Sequence, residues 1–271
     1  MRTRTAILVA LGWLAPPLLA QAADAARPFD RAHSVFTEVL QRRVAAGRVD
    51  YAGLARDGTL DRYLEDLAAV SREELDSWPE PDRIAFWINA YNAFTLRLVL
   101  DHYPVRSIRS IGFLPGSAFR KGFISLKAAG PEAVSLDFIE HETLRKRFAE
   151  PRVHFALVCA SRSCPPLRAE AYRGADLDRQ LEEATRGFLG DVRRNRFEPR
   201  ANVLHLSAIF KWFHEDFESA AGTVPAFVAR YAQEPLASGA RLDGVDVEYE
   251  SYDWSLNDVV DSAGSAAAER P

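Results

Sequence analysis

The 271-residue chain has little sulfur chemistry to offer: two cysteines, Cys159 and Cys164, with four residues between them. It has no C-x-x-C and no H-E-x-x-H, the spacings at which side chains on one turn or one helix face converge on an ion. A metal site drawn from His141, His154 and the cysteines therefore has no motif behind it, and neither a metal nor another cofactor is expected. Also missing are the G-x-S-x-G elbow, the G-x-x-x-x-G-K-[ST] loop and the G-x-G-x-x-G turn, which weighs against a serine hydrolase and against nucleotide chemistry. There is no excess of positive charge: the formal net charge is −4. Nucleic acid and anionic membrane surfaces are poor partners for such a chain. No internal repeat and no Ser/Gly/Pro linker divides it.

What is present begins with an address. Arg2 and Arg4 precede an apolar run over Ala6–Ala20 that is broken by Pro16-Pro17, and Ala20-Gln21-Ala22 offers small residues for cleavage. This is the layout of a secretory signal peptide, residues 1–22, and the run is too short and too proline-broken for a membrane span. The expectation is a periplasmic or secreted protein with no span after cleavage. With no cysteine near the cleavage point, no lipid anchor is expected. Losing the leader removes two arginines, so the formal net charge moves from −4 to −6. Export also brings the two cysteines into an oxidising setting.

The mature chain reads as one α+β domain over residues 28–257, mostly helical around a small central sheet, with a disordered tail over 258–271. The most apolar helix candidate is Asp82–Leu100, apolar nearly all round and hence buried, yet it carries Asn89 and Asn92. Buried amides need partners, so this pair either ties down backbone or faces a site. A second helix, Val134–Arg147, has Ser135 as its cap and a stripe of Leu136, Glu140, Leu144 and Phe148. Glu140 is thus a carboxylate where an apolar residue is expected, either paired in the interior or with its head in water. Further on, Ser207 caps an aromatic-rich helix, AIFKWFHEDF, and Val245–Leu256 alternates like a terminal strand or hairpin.

Between these lies VHFALVCASRSCPP, Val153–Pro166. The continuous apolar run predicts a strand buried on both faces, and Cys164-Pro165-Pro166 predicts a helix start after a short loop. A thiol at a helix N-terminus beside an imidazole is activated as a nucleophile. One candidate site follows: Cys164 as nucleophile, His154 as base, Glu140 as orienter, and the two asparagines as hydrogen-bond donors to a substrate. The competing reading is a Cys159–Cys164 disulfide. So small a ring would stabilise by on the order of 2 kcal/mol, and it would remove Cys164 as a resting nucleophile.

Five blocks, FWINAYNAFTL (Phe86–Leu96), SLDFIEH (Ser135–His141), HFALVCASRSCPPL (His154–Leu167), LSAIFKWFHEDF (Leu206–Phe217) and YDWSLN (Tyr252–Asn257), resemble the domain-of-unknown-function 547 family in their order and across nearly the whole mature chain. The resemblance marks Asn89, Asn92, Glu140, His141, His154, Cys159, Ser161, Cys164, Pro165, Lys211, Trp254 and Asn257 as a shared site or core. It adds His141, Ser161 and Lys211 to the substrate-binding candidates. A loose similarity to papain and transglutaminase architecture is also implied, although Asn92 stands on the helix that would carry their cysteine. Two functional expectations result. One is a thiol-dependent hydrolase or acyl transferase. The other is a non-catalytic binding or envelope module, with a small molecule or an envelope component as partner, in which the same residues form a disulfide and a buried polar core.

Overall fold

In the computed structural model, which describes residues 28–112, 114 and 116–260, the helix Glu80–Leu100 is the longest element. Pro81 lies in its first turn, where no intrahelical N–H bond is lost, and Glu80 and Asp82 sit at its positive end. Every residue from Ile84 to Leu96 is buried. The helices Ser34–Arg43 and Thr59–Ala69 and the turn region after Ser135 pack around it to form the larger of two cores, with Trp87, Tyr51 and Tyr63 among its fully buried side chains.

The smaller core is aromatic. Phe155, Phe188, Phe210, Phe217 and Phe227 meet there, with the Phe217 ring 4.8 Å from both Phe210 and Phe227. The three-stranded sheet belongs to this core: Arg196–Glu198 pairs antiparallel with Val203–Leu206, which pairs parallel with Asp246–Tyr249, so that Leu204 stands opposite Phe197 and Val247. The fold is thus α+β and mostly helical, but its sheet flanks the second core and the first core is helical.

A two-residue hairpin joins Val44–Ala45 to Arg48–Val49. Its turn holds Ala46 and Gly47 at φ of 49° and 77°, the mirror-image turn that suits a tight hairpin. Gly47 is needed for a second reason: a Cβ there would stand 2.5 Å from the Cβ of Pro166. The hairpin is therefore pressed onto the Cys164–Pro166 loop.

Two local expectations fail in the middle of the chain. Val153–Val158 is not a strand. Pro151 opens a 3₁₀ turn over Pro151–Phe155, the Glu150 side chain accepts the Arg152 N–H, and the chain then runs on irregularly. The hydrogen bonds that a neighbouring strand would have supplied come from a side chain, as described below. Nor does a helix begin at Cys164-Pro165-Pro166. A proline disfavours helical backbone at the residue before it, so two in succession hold Cys164 and Pro165 out of a helix, and the chain becomes helical only from Gly174. Cys164 consequently has no helix N-terminus to lower its pKa.

The aromatic helix after Ser207 is broken at Phe213 (φ −117°, ψ 26°) into Ala208–Trp212 and His214–Ala221. After the strand Asp246–Tyr249 the chain becomes a strap. Ser163 and Arg162 donate backbone N–H bonds to Asp253 and Ser255, Leu256 donates to Arg106, and Asn257 to Ala160. Asp258, the first residue of the expected tail, is buried, and its carboxylate accepts the Tyr103 hydroxyl at 2.8 Å. The expected signal peptide and residues 261–271 lie outside the described residues. Among the described residues no helix is long and apolar enough to cross a membrane.

Candidate functional site

The two cores leave a cavity of roughly 170 Å³ at their junction. Phe119, Trp212, Tyr252 and Trp254 wall it with aromatic rings, Cys159 and Cys164 line one side, and Tyr91, Asp137, Glu140 and His154 bring polar groups. Trp212 and Trp254 lie stacked with centroids 5.7 Å apart, Tyr252 leans on both, and the Arg109 guanidinium sits 5.0 Å over Trp254.

Glu140 reaches the cavity because its helix is widened. Phe138–Arg145 is π-helical, preceded by the Ser135 cap, whose hydroxyl accepts the Phe138 N–H at 3.1 Å. Such i→i+5 turns shift side chains relative to an ordinary helix and recur at functional sites. Ile139, Thr143 and Leu144 face the interior, while Glu140 lies between interior and cavity with its side chain 14% exposed. Burial, reinforced by the Asp137 charge, raises the Glu140 carboxyl against the pull of Arg145 and a Tyr91 hydrogen bond, and leaves it at about 7. Asp137 is raised as well, by burial. In its neutral form Glu140 is a proton donor facing a cavity.

His154 enters from the 3₁₀ turn and is buried. Its ring lies 3.8 Å from that of Phe213 at 20°, a stack made possible by the helix break at Phe213. Nε2 is 2.7 Å from Asp216 Oδ2, and Arg145 grips the same carboxylate with Nε at 2.6 Å and Nη2 at 2.9 Å. Burial would raise Asp216, but the hydrogen bonds from His154 and Arg145 outweigh it and hold the carboxyl well below the usual range. Burial lowers His154, so the imidazole is neutral near pH 7. A neutral ring has one N–H. Asp216 fixes it at Nε2, which makes Nδ1 the acceptor. Nδ1 is buried, has no hydrogen-bond partner among the described residues, and lies 3.9 Å from Glu140 Oε1.

The cysteines are joined. Cys159 and Cys164 form a disulfide with Cα atoms 6.3 Å apart, so the proposed resting nucleophile is already bonded. Ser161 is buried beside it, with Oγ 3.3 Å from both sulfurs. The asparagines point elsewhere. Asn92 donates to the Ala156 carbonyl and accepts the Val158 N–H, both at 2.9 Å. Asn89 donates to the Tyr172 carbonyl at 2.7 Å and accepts the Tyr172 N–H at 2.9 Å. Both amides are spent on backbone, and Asn92 replaces the neighbour that the expected strand at 153–158 lacks. His141 stands at the back of the site, half-buried, with Nδ1 3.1 Å from Arg145 Nη1. Lys211 is exposed and does not line the cavity. Of the candidates, then, His154, Glu140, Cys164 and Ser161 come together, and the asparagines and Lys211 do not join them. Asp216, Arg145, Tyr91, Phe213 and Tyr252 complete the site without having been singled out. Among the described residues no group of His, Cys, Asp and Glu is arranged to hold a metal ion.

Residues 75–189 match the family model described as protein of unknown function, DUF547. The matched segment carries Asn89, Asn92, Glu140, His154 and both cysteines, whereas Asp216, Tyr252 and Trp254 come from the chain beyond it. Comparison with curated proteins and with solved structures finds no match. The central part of the chain, residues 75–189, is thus similar to the DUF547 family of proteins of unknown function.

Proposed function

We propose that the protein is an exported envelope protein that binds a small ring-bearing molecule in the aromatic cavity and shares a proton with it through Glu140. The export assignment rests on the N-terminal layout of Arg2, Arg4 and the proline-broken run that follows. The observation that carries the rest is the Glu140–His154–Asp216 series. A carboxyl with a value of about 7 faces an unpartnered imidazole nitrogen whose tautomer is fixed from behind by Asp216. A ligand oxygen or nitrogen placed near Glu140 would receive its proton, and Nδ1 of His154 is the acceptor within reach for a proton moving the other way. The rings of Trp212, Trp254 and Tyr252 supply a stacking surface. Thiol-dependent hydrolysis or acyl transfer would need Cys164 free, and its bond to Cys159 favours the binding reading.

The test uses neutral ring compounds that bear a hydroxyl or carbonyl, namely benzyl alcohol, benzamide and methyl β-glucoside, followed through the indole N–H resonances of Trp212 and Trp254. Saturable shifts are expected at pH 6, with weaker binding at pH 8 where Glu140 has lost its proton. Glu140→Gln should bind equally at both. Failure of all three compounds to saturate, or wild-type binding that ignores this pH interval, overturns the proposal.

A further inference from the structure

The disulfide is placed and dressed in a way that a structural staple does not require. It forms part of the cavity wall, with Cys159 half-buried and Cys164 buried behind it. The segment it closes is already held without it, by Asn92 on Val158, by Asn257 on Ala160, and by the strap on Arg162 and Ser163. Three donors nevertheless converge on one sulfur. Cys164 Sγ accepts the Cys159 N–H at 3.0 Å and lies 3.3 Å from Ser161 Oγ and 3.2 Å from the Tyr252 hydroxyl; the same two hydroxyls stand 3.3 and 3.4 Å from Cys159 Sγ, so the backbone N–H, given to Cys164, is what sets the two sulfurs apart. A disulfide sulfur is a weak acceptor and gains little from such company. A thiolate gains much, because hydrogen bonds to the charged form lower its pKa. The hydroxyls can also adapt. Ser161 and Tyr252 are 3.2 Å apart, so in the disulfide state Ser161 can donate to the Tyr252 oxygen. Once the sulfur is charged, both protons can turn to it.

We propose that Cys159–Cys164 is an exchangeable redox pair that reacts with dithiols, Cys159 being the sulfur attacked and Cys164 the leaving thiolate. The incoming thiolate approaches through the cavity and bonds to Cys159 Sγ as the Sγ–Sγ bond breaks. Cys164 departs with the electron pair toward the three donors, whose hydrogen bonds favour the charged sulfur and make it the better leaving group. The second thiol of the dithiol, once deprotonated, attacks its own sulfur in the mixed disulfide, and Cys159 is released as a thiolate that takes a proton from water. Two electrons pass to the protein, and the dithiol becomes a disulfide.

The experiment reduces the native protein with dithiothreitol, quenches with acid, counts thiols by maleimide labelling, and maps the mixed disulfide trapped with limiting glutathione. Glutathione is expected on Cys159. Tyr252→Phe and Ser161→Ala should each slow reduction by roughly tenfold, and in urea all three proteins should reduce at one rate, because the donors converge only in the fold. Glutathione on Cys164, or both variants reacting at the wild-type rate in the native state, overturns the proposal. So does a wild-type bond that resists dithiothreitol until the protein unfolds. Two variants are used so that a folding defect in one, checked by circular dichroism, leaves the other to decide.

Discussion

Asn89 and Asn92 on the central helix and Glu140 and His154 at the junction of the cores are all polar groups in the interior, and they are treated in opposite ways. Each asparagine meets one donor and one acceptor of the backbone at hydrogen-bond distance. Its chemistry is closed. His154 is closed on one side by Asp216 and open on the other, and Glu140 is driven toward neutrality beside a cavity. Burial is shared, so it does not distinguish a structural polar group from a reactive one. What distinguishes them is whether hydrogen-bonding capacity is left over and whether a space lies next to it.

The largest effect that would test this contrast is on stability. Asn92→Ala strips the buried Ala156 carbonyl and Val158 N–H of their partners, at a cost of about 2–5 kcal/mol for two buried backbone groups. Urea unfolding of the variant should show it, and Asn89→Ala should resemble it through Tyr172. A loss under about 1 kcal/mol would mean that these amides are not the closed set. Asp216→Asn comes next, with an expected loss of about 1–3 kcal/mol at pH 7 as Arg145 and His154 lose a charged acceptor. Because the folded carboxyl lies below its ordinary 3.8, this contribution is present above pH 3.8 and fades as pH falls below it. The gap between wild type and variant should therefore narrow on acidification to pH 3.

The sequence made the closed set more legible than the open one. An apolar helix with asparagines at 89 and 92 announces that something must meet them, and the local pattern also marked Glu140 as out of place and the Ser135 cap. It could not show the widened turn that carries Glu140 to the cavity, since π-helical pairing depends on what packs against Leu136 and Leu144. It misread 153–158 as a strand because a buried apolar run looks the same whether its hydrogen bonds come from a sheet or from one asparagine. Asp216 was invisible for a related reason. It lies 62 residues from His154, in a helix whose break at Phe213 brings both the ring and the carboxylate onto the imidazole, and no spacing in the chain encodes that meeting. The cysteines were legible as a pair of alternatives, and the structure takes the bonded one.

Glu140→Gln tests the open set and carries the opposite sign. A carboxyl raised to about 7 from an ordinary 4.5 binds its proton more tightly in the folded state. Folding is therefore favoured fully below pH 4.5, and that advantage is lost as pH rises through 7. Glutamine keeps the neutral shape at every pH. The variant should match wild type near pH 4.5 and be more stable by about 1–3 kcal/mol at pH 8. Equal stability at pH 8 would return Glu140 to the class of solvated surface carboxylates.

The smallest stability effect is expected at the mouth of the cavity. Trp212 is 45% exposed, stacked on Trp254 and leaning on Tyr252, and it belongs to neither closed core. Exposed side chains away from buried networks usually change stability by within about 0.5 kcal/mol when replaced, so Trp212→Ala should leave the unfolding curve nearly unmoved. Its effect should appear in binding, where losing one stacking face weakens the ring compounds severalfold while the pH response set by Glu140 persists. A large loss of stability with unchanged binding would reverse the assignment, making the aromatic wall part of the closed structure and leaving Glu140 and His154 facing a gap with no ligand surface.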